Sequence, residues 1–299
     1  MNVKGIEVNI QNQPVLDPDF IPLGAFTDAF EASARNGKPM IVALERDNGQ
    51  ITRRAFNVHG TPEMREADIL YVERTVKMML WAAGGFRVYI CGDEEIGEAI
   101  RKIYSADGER AFDFDFMQNV YEKPFEVVLL PLDKAPAEKQ MPKKIGGNNT
   151  GCRIGFDAGG SDRKVSAVID GEPVFSEEVV WHPKVNSDPD YHYNEIVSAF
   201  KTAASKMPRV DAIGVSSAGV YINNHTMNAS LFLKVGPEDY EKYVKDIYIR
   251  AAKEIGDVPL TVCNDGDVTA LAGAMSLGED GILGIAMGTS EAGGYVDMK

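Results

Sequence analysis

Four residues near the middle of the chain have the types and spacing to handle phosphate. Asp157, Gly159, Gly160 and Ser161 lie in the stretch IGFDAGGSDRK (residues 154–164), where an apolar run ends in a carboxylate and a second run begins at Lys164. The two glycines permit a tight turn whose backbone N–H groups come close to a phosphate. Asp157 can hold a Mg²⁺ ion through water, and Ser161 can hydrogen-bond a phosphoryl oxygen. Alone, a Gly-Gly-Ser between two strands is an ordinary hairpin turn. The order of the features that follow gives it weight.

A second carboxylate, Asp265, follows Asn264 where the apolar run 259–263 passes into the small-residue segment 265–277. A carboxylate at a strand end and helix start projects toward a cleft; it can equally cap the helix. Asp267 reads as a first-turn partner of the helix dipole. A further turn, Gly288-Thr289-Ser290-Glu291, follows the run 282–287. His182, His192 and His225 read as solvated or core residues rather than metal ligands. Cys91, Cys152 and Cys263 are far apart and lack metal-ligand spacing, and they read as reduced thiols of a cytoplasmic protein.

These residues need elements to hold them. Residues 152–158, 164–170 and 173–180 read as three successive strands, with Asp170-Gly171 the turn between the last two. Residues 193–207 place Ile196, Val197, Phe200, Ala203 and Ala204 on one helix face. Then come a buried strand (210–216), a helix from Pro237 to its stop at Gly256, a strand (259–263), a helix (265–277), a strand (282–287) and the start of another (293–297). The order βββαβαβα, then ββ, is the ribonuclease H-like layout: an antiparallel meander followed by two crossover units.

Residues 1–130 read as a separate N-terminal α/β domain. The pattern predicts helices over 26–35, from Pro62 to 83 and over 93–104, and strands over 39–44, 51–58, 86–90, 112–116 and 125–130. This half holds no phosphate loop and no acid–base cluster. Residues 131–150 include three prolines, six charged residues and a Gly-Gly-Asn-Asn run, and they read as a linker.

The whole composition bounds the function. At 299 residues the chain holds about two domains. With 44% apolar and 25% charged residues it is an ordinary globular sequence that needs no disulfide staples. A net charge of −14 argues against nucleic acid or an anionic membrane as partner. No basic leader with an apolar run and no membrane-length apolar segment is evident. A homodimer stays open.

Within that layout the chain resembles the sugar kinase, heat-shock chaperone and actin superfamily, and within it the ROK family of sugar kinases. The resemblance covers residues 152–297. Asp157-Ala158-Gly159-Gly160-Ser161 resembles the first phosphate motif, DxGGT. Gly214-Val215-Ser216-Ser217-Ala218-Gly219 stands where the family has a Gly-rich strand end with proline, which is missing here. Asn264-Asp265 matches the family's Asn-Asp pair, and Gly288-Thr289 its second phosphate turn.

The resemblance implies an ATP-dependent kinase with Mg²⁺. Asp265 would be the general base toward a sugar hydroxyl, and Asn264, Ser230, Ser217 and Gly219 would contact the sugar. Asp157 would hold the metal, while Gly159, Gly160, Ser161, Gly288 and Thr289 would bind the nucleotide phosphates. Partners would be a small-molecule sugar and a nucleotide. Ser230 stands where the family often has Asn before a Leu, and Glu291 where it has a small or apolar residue. By the same comparison, 151–280 would be the first lobe and 281–299 the start of a second lobe. About 100 further residues would be expected, so the chain reads as truncated after the second phosphate motif. The competing reading is a non-catalytic sugar-sensing or regulatory protein that keeps the cleft without turnover.

Overall fold

The computed structural model describes residues 1–141, 146–287 and 291–297. The chain divides into two compact units, 1–143 and 144–299.

The first unit starts with a short β1 (Asn2–Val3) and β2 (Ile6–Glu7) pair, then α1 (Leu23–Ser33), β3 (Lys38–Glu45), β4 (Ile51–Val58) and α2 (Arg65–Ala83). It continues with β5 (Arg87–Cys91), α3 (Glu94–Ile103), α4 (Ala111–Tyr121) and β6 (Glu126–Leu130). Its main sheet runs β4-β3-β5-β6, with only β5 and β6 parallel. Met40, Val42 and Leu44 of β3 meet Val72, Val76 and Leu80 of α2 in the core, so the period-2 and period-3.6 patterns bury one face each. Phe30 stacks on Tyr71 with ring centroids 4.1 Å apart.

One element differs from the expectation. Residues 112–116 (FDFDF) alternate like a strand but lie within α4. The buried positions are Asp113, Met117 and Val120, at helical spacing, while Phe112 is two-thirds exposed. Asp113 is buried because Lys77 Nζ and Trp81 Nε1 both donate to its carboxylate at 2.6 Å. A paired buried carboxylate thus inverts the polarity that the alternation implies.

The stretch 131–150 is not a free linker along its described length. Leu132–Lys134 forms a single 3₁₀ turn, and Lys139 exchanges backbone hydrogen bonds with Ile51 at 2.8 and 3.0 Å. Beyond it, Gly151 N–H donates to Asp170 Oδ1 at 2.7 Å.

The second unit is built from β7 (Cys152–Ala158), β8 (Asp162–Ile169), β9 (Glu172–Val180), α5 (Pro189–Ala204), β10 (Ala212–Ser217), β11 (Val220–Ile222) and β12 (His225–Asn228). Next come α6 (Pro237–Asp239), a wide helical turn Tyr240–Val244, α7 (Ile247–Lys253), β13 (Leu260–Asn264), α8 (Asp265–Leu277), β14 (Ile282–Met287) and β15 (Glu291–Val296). The main sheet runs β13-β10-β7-β8-β9. Strands β7, β8 and β9 form an antiparallel meander, and β10 and β13 add to β7 in parallel. This order and direction make the second unit a ribonuclease H-like lobe.

The register explains where chemistry can gather. Ile154, Phe156 and Ala158 point to the core with Ile196, Phe200, Ile247 and Ala251 of α5 and α7. Alternation sends Arg153, Gly155 and Asp157 to the other face. The parallel strands finish level, with Ser217 beside both Ala158 and Asn264, so their carboxyl ends form one rim, where such sheets bind ligands. Strands β14 and β15 pair with each other and rest on α8 through glycines. A Cβ on Gly284 would meet Ala270 N at 2.2 Å, and one on Gly294 would meet Gly266 O at 2.4 Å.

Candidate functional site

A cavity of about 650 Å³ opens at that rim. Its lining includes Asp157, Gly159, Gly160, Ser161, Ser230 and Asp265, joined by Asp162, Lys164, Lys184 and Ser216. The fold therefore brings six of the sequence-derived site residues to one hollow. Gly288 and Thr289 lie outside the described residues.

Asp157 sits at the end of β7, beside Ser216 in register. Burial pushes its carboxyl up from the ordinary range; the hydrogen bond with Ser216 and the Lys164 charge oppose this, while the Asp265 and Asp162 charges add to it. A carboxylate so placed gains from a cation beside it. Asp157 is the lining carboxylate that could take a divalent ion. Asp162 is held low by hydrogen bonds from Lys164 and Ser161. Lys164 Nζ lies 2.5 Å from Asp162 Oδ1, and Ser161 Oγ donates to Asp162 Oδ2 at 2.9 Å.

Asp265 is the first residue of α8 and lines the cavity with Thr269 and Ala272 of the same helix. Its neighbour does the capping. Asn264 Oδ1 accepts the Gly266 N–H at 2.8 Å, and Asn264 Nδ2 donates to the Gly219 carbonyl at 2.8 Å. This division leaves Asp265 aimed at the hollow, although its own Oδ1 also takes the Gly266 N–H at 3.1 Å.

Three expected sugar contacts are placed differently. Asn264 has both ends of its amide engaged by backbone and holds the rim together. Gly219 is the carbonyl partner of that bond. Its φ of 143° and a built Cβ 2.4 Å from Asn228 O show why glycine stands there. Ser217 is fully buried and receives the Tyr248 hydroxyl at 3.1 Å, because alternation along β10 turns Ser217 inward and Ser216 outward. Ser230 alone of the four lines the cavity.

Other residues escaped sequence reasoning. Trp181 is buried and donates Nε1–H to the Gly159 carbonyl at 2.7 Å, while its backbone N–H donates to Ser161 O at 3.1 Å. Lys184 lies over Gly160. In the sequence His182 to Asp190 reads as a polar loop, and neither Trp181 before it nor Lys184 within it carries a local mark of the site. A larger hollow of about 690 Å³ follows the sheet face beneath α8, bounded by Gly155, Ser166, Gly214, Thr261, Leu271 and Met275. It shares Asp157 and Lys164 with the rim cavity but lacks the glycine turn and Asp265.

The first unit carries a hydrogen-bonded chain of its own. Ser33 Oγ lies 3.0 Å from His59 Nε2, and His59 Nδ1 lies 2.8 Å from Oδ1 of the fully buried Asp68. Asp68 also accepts the backbone N–H groups of His59 and Gly60, both at 2.9 Å. Ser33 is exposed at the carboxyl end of α1, where its Oγ also donates to Phe30 O at 2.9 Å. Helix carbonyls there oppose any developing oxyanion, so the chain acts as a lock on the turn after β4.

Among the described residues no group of three or more His, Cys, Asp or Glu side chains forms a metal cluster, and no helix is long and apolar enough to cross a membrane.

No known family model matches the sequence, and no curated protein matches it. Solved structures similar to part of this chain include a hexokinase, a glucokinase and a transcriptional regulator. A ROK hexokinase from Thermus thermophilus shares 21% identity over 49% of this chain and 47% of its own, with a TM-score of 0.38. A glucokinase from Parabacteroides distasonis shares 20% over 50% and 45%, with a TM-score of 0.34. A ROK-family transcriptional regulator, a homologue of the E. coli MLC protein, shares 22% over 50% and 38%, also at 0.34. The chain spans less than half the length of each of these proteins.

Proposed function

We propose that the second unit is the catalytic lobe of a ROK-type kinase that transfers the terminal phosphoryl group of ATP to a sugar hydroxyl. The observation that carries this reading is the convergence of Asp265, Asp157 and the 159–161 glycine turn on one cavity. Asp265 accepts the proton of the attacking hydroxyl, for which it needs only hydrogen-bond reach. Ser230 faces the same space and contributes a hydroxyl to sugar recognition. The 159–161 turn supplies backbone N–H groups, and Asp157 supplies the carboxylate for Mg²⁺. When bound, the cation offsets charge on the phosphoryl oxygens. Catalysis then rests on positioning and electrostatics.

The test is nucleotide release by the 299-residue chain with a panel of aldohexoses and N-acetylhexosamines, alongside calorimetric binding of each sugar and of MgATP. Sugar-dependent ADP release, lost in Asp265→Asn, supports the proposal. Absence of MgATP binding sinks it, and sugar binding without any nucleotide response transfers support to the sensing alternative.

A further inference from the structure

We infer that Lys184 is a phosphate-binding residue of this site, directed at a nucleotide phosphoryl group rather than at the sugar; the inference rests on the kinase reading above. Three acidic side chains, Asp157, Asp162 and Asp265, line the cavity, against two lysines, Lys164 and Lys184. A polyphosphate brought to such a lining meets like charge unless cations face it. Lys164 is committed to Asp162 at 2.5 Å. Lys184 has no ion pair or hydrogen bond among the described residues and lines the same hollow, half-buried.

Its location matches that task. A Cβ built on Gly160 would lie 3.0 Å from Lys184 Nζ and 2.9 Å from Cε. The ammonium group therefore rests on the glycine turn, next to the backbone donors that a phosphate would use. Gly160 has a second reason to be glycine: any side chain there would displace the lysine.

The backbone that presents Lys184 is held from both sides. Lys184 is the middle residue of the 3₁₀ turn Pro183–Val185. The buried His192 ring places Nε2 3.0 Å from the Pro183 carbonyl and Nδ1 3.0 Å from the Asp188 carbonyl. His182 N–H donates to the Tyr191 hydroxyl at 2.9 Å. Three residues before Lys184, Trp181 grips Gly159 and Ser161. The lysine and the glycine turn are thus fastened to one short segment and keep their relative position without ligand. Such preorganisation is what a charge-stabilising group requires.

The experiment compares Lys184→Met, which keeps the stem over Gly160, and Lys184→Arg, which keeps the charge, with the unaltered chain. The probes are the magnesium complex of a non-hydrolysable ATP analogue and the best sugar from the panel, both read by calorimetry, with thermal melts to show that each variant folds. Loss of one charge-assisted contact predicts roughly 10- to 100-fold weaker analogue binding for Lys184→Met, near-retention for Lys184→Arg, and unchanged sugar affinity. In parallel, the analogue should slow acetylation of Lys184 in the unaltered chain while sugar does not. Equal analogue affinity of Lys184→Met and the unaltered chain, or a loss confined to sugar, overturns the inference while leaving the kinase reading standing. An unaltered chain that binds no analogue overturns the kinase reading itself.

Discussion

The indole of Trp181 donates to the carbonyl oxygen of Gly159 at 2.7 Å across the end of the β7–β8 hairpin. A turn built from two glycines is loose in isolation, since glycine has the most backbone freedom to lose. The buried ring fixes one carbonyl of that turn, and the Trp181 backbone N–H fixes a second, that of Ser161. The conformation of the 159–161 turn is therefore held by the residue that follows β9.

Trp181→Phe keeps most of the apolar ring and removes the donor. An unpaired buried carbonyl and a small void cost about 1–3 kcal/mol, visible as a lower Tm of the second unit. MgATP affinity should fall with it, while the first unit melts as before.

On the proposed kinase reading, Asp265→Asn removes the proton acceptor and keeps the side-chain shape. Turnover should drop by about 100- to 10,000-fold, the range of general-base contributions, with sugar and MgATP binding retained in calorimetry. Full turnover in this variant would assign the base elsewhere.

Asp157 predicts a pH-dependent stability. Burial raises its folded-state pKa above the unfolded value, so the folded chain holds the proton more tightly. The stabilising contribution is present below the unfolded pKa and is lost as pH rises through the raised folded one. At pH 7 the ionised group therefore costs stability. Asp157→Asn should raise Tm at pH 7, with little gain at pH 4, and on the proposed reading Mg²⁺ should raise the Tm of the unaltered chain and not that of the variant. Melts across this pH range check both, and a Tm that falls at pH 7 contradicts the assignment.

Gly284→Ala tests how closely β14 must approach α8. The added methyl would meet Ala270 N at 2.2 Å and Cα at 2.5 Å, so the hairpin must shift. Overpacking of this kind costs about 1–3 kcal/mol. Because Ala286 and Met287 of β14 line the rim cavity, MgATP affinity should also weaken.

Asp68→Ala probes the first unit alone. It leaves the His59 and Gly60 N–H groups without their acceptor, a loss of about 2–3 kcal/mol for partly buried donors. Denaturant unfolding should show it in the transition of the first unit without altering ligand binding by the second unit.

Much of the second unit was legible in the chain. Strand periodicity, the Asp170-Gly171 turn and the apolar face of α5 are local patterns, and they led to the observed ribonuclease H-like order. The glycine turn and Asn264-Asp265 were legible because their residue types and order resemble the motifs of a known family. In the first unit, 112–116 misled because alternation describes which side chains are polar, not which are paired. Asp113 is buried by Lys77 and Trp81, residues more than 30 positions away.

The sequence by itself determined the lobe's strand order and the two carboxylates at its rim, since both follow from period, turn chemistry and residue type. The tertiary structure alone decided which neighbours share the cavity. Ser216 faces it and Ser217 does not, a matter of register on β10. Asn264 holds the rim while Asp265 opens to the hollow. Trp181 and Lys184 join the site although nothing in their local pattern marks them. The physical reason is that register and close packing set the direction of every side chain, and they bring together residues that a local window never sees side by side.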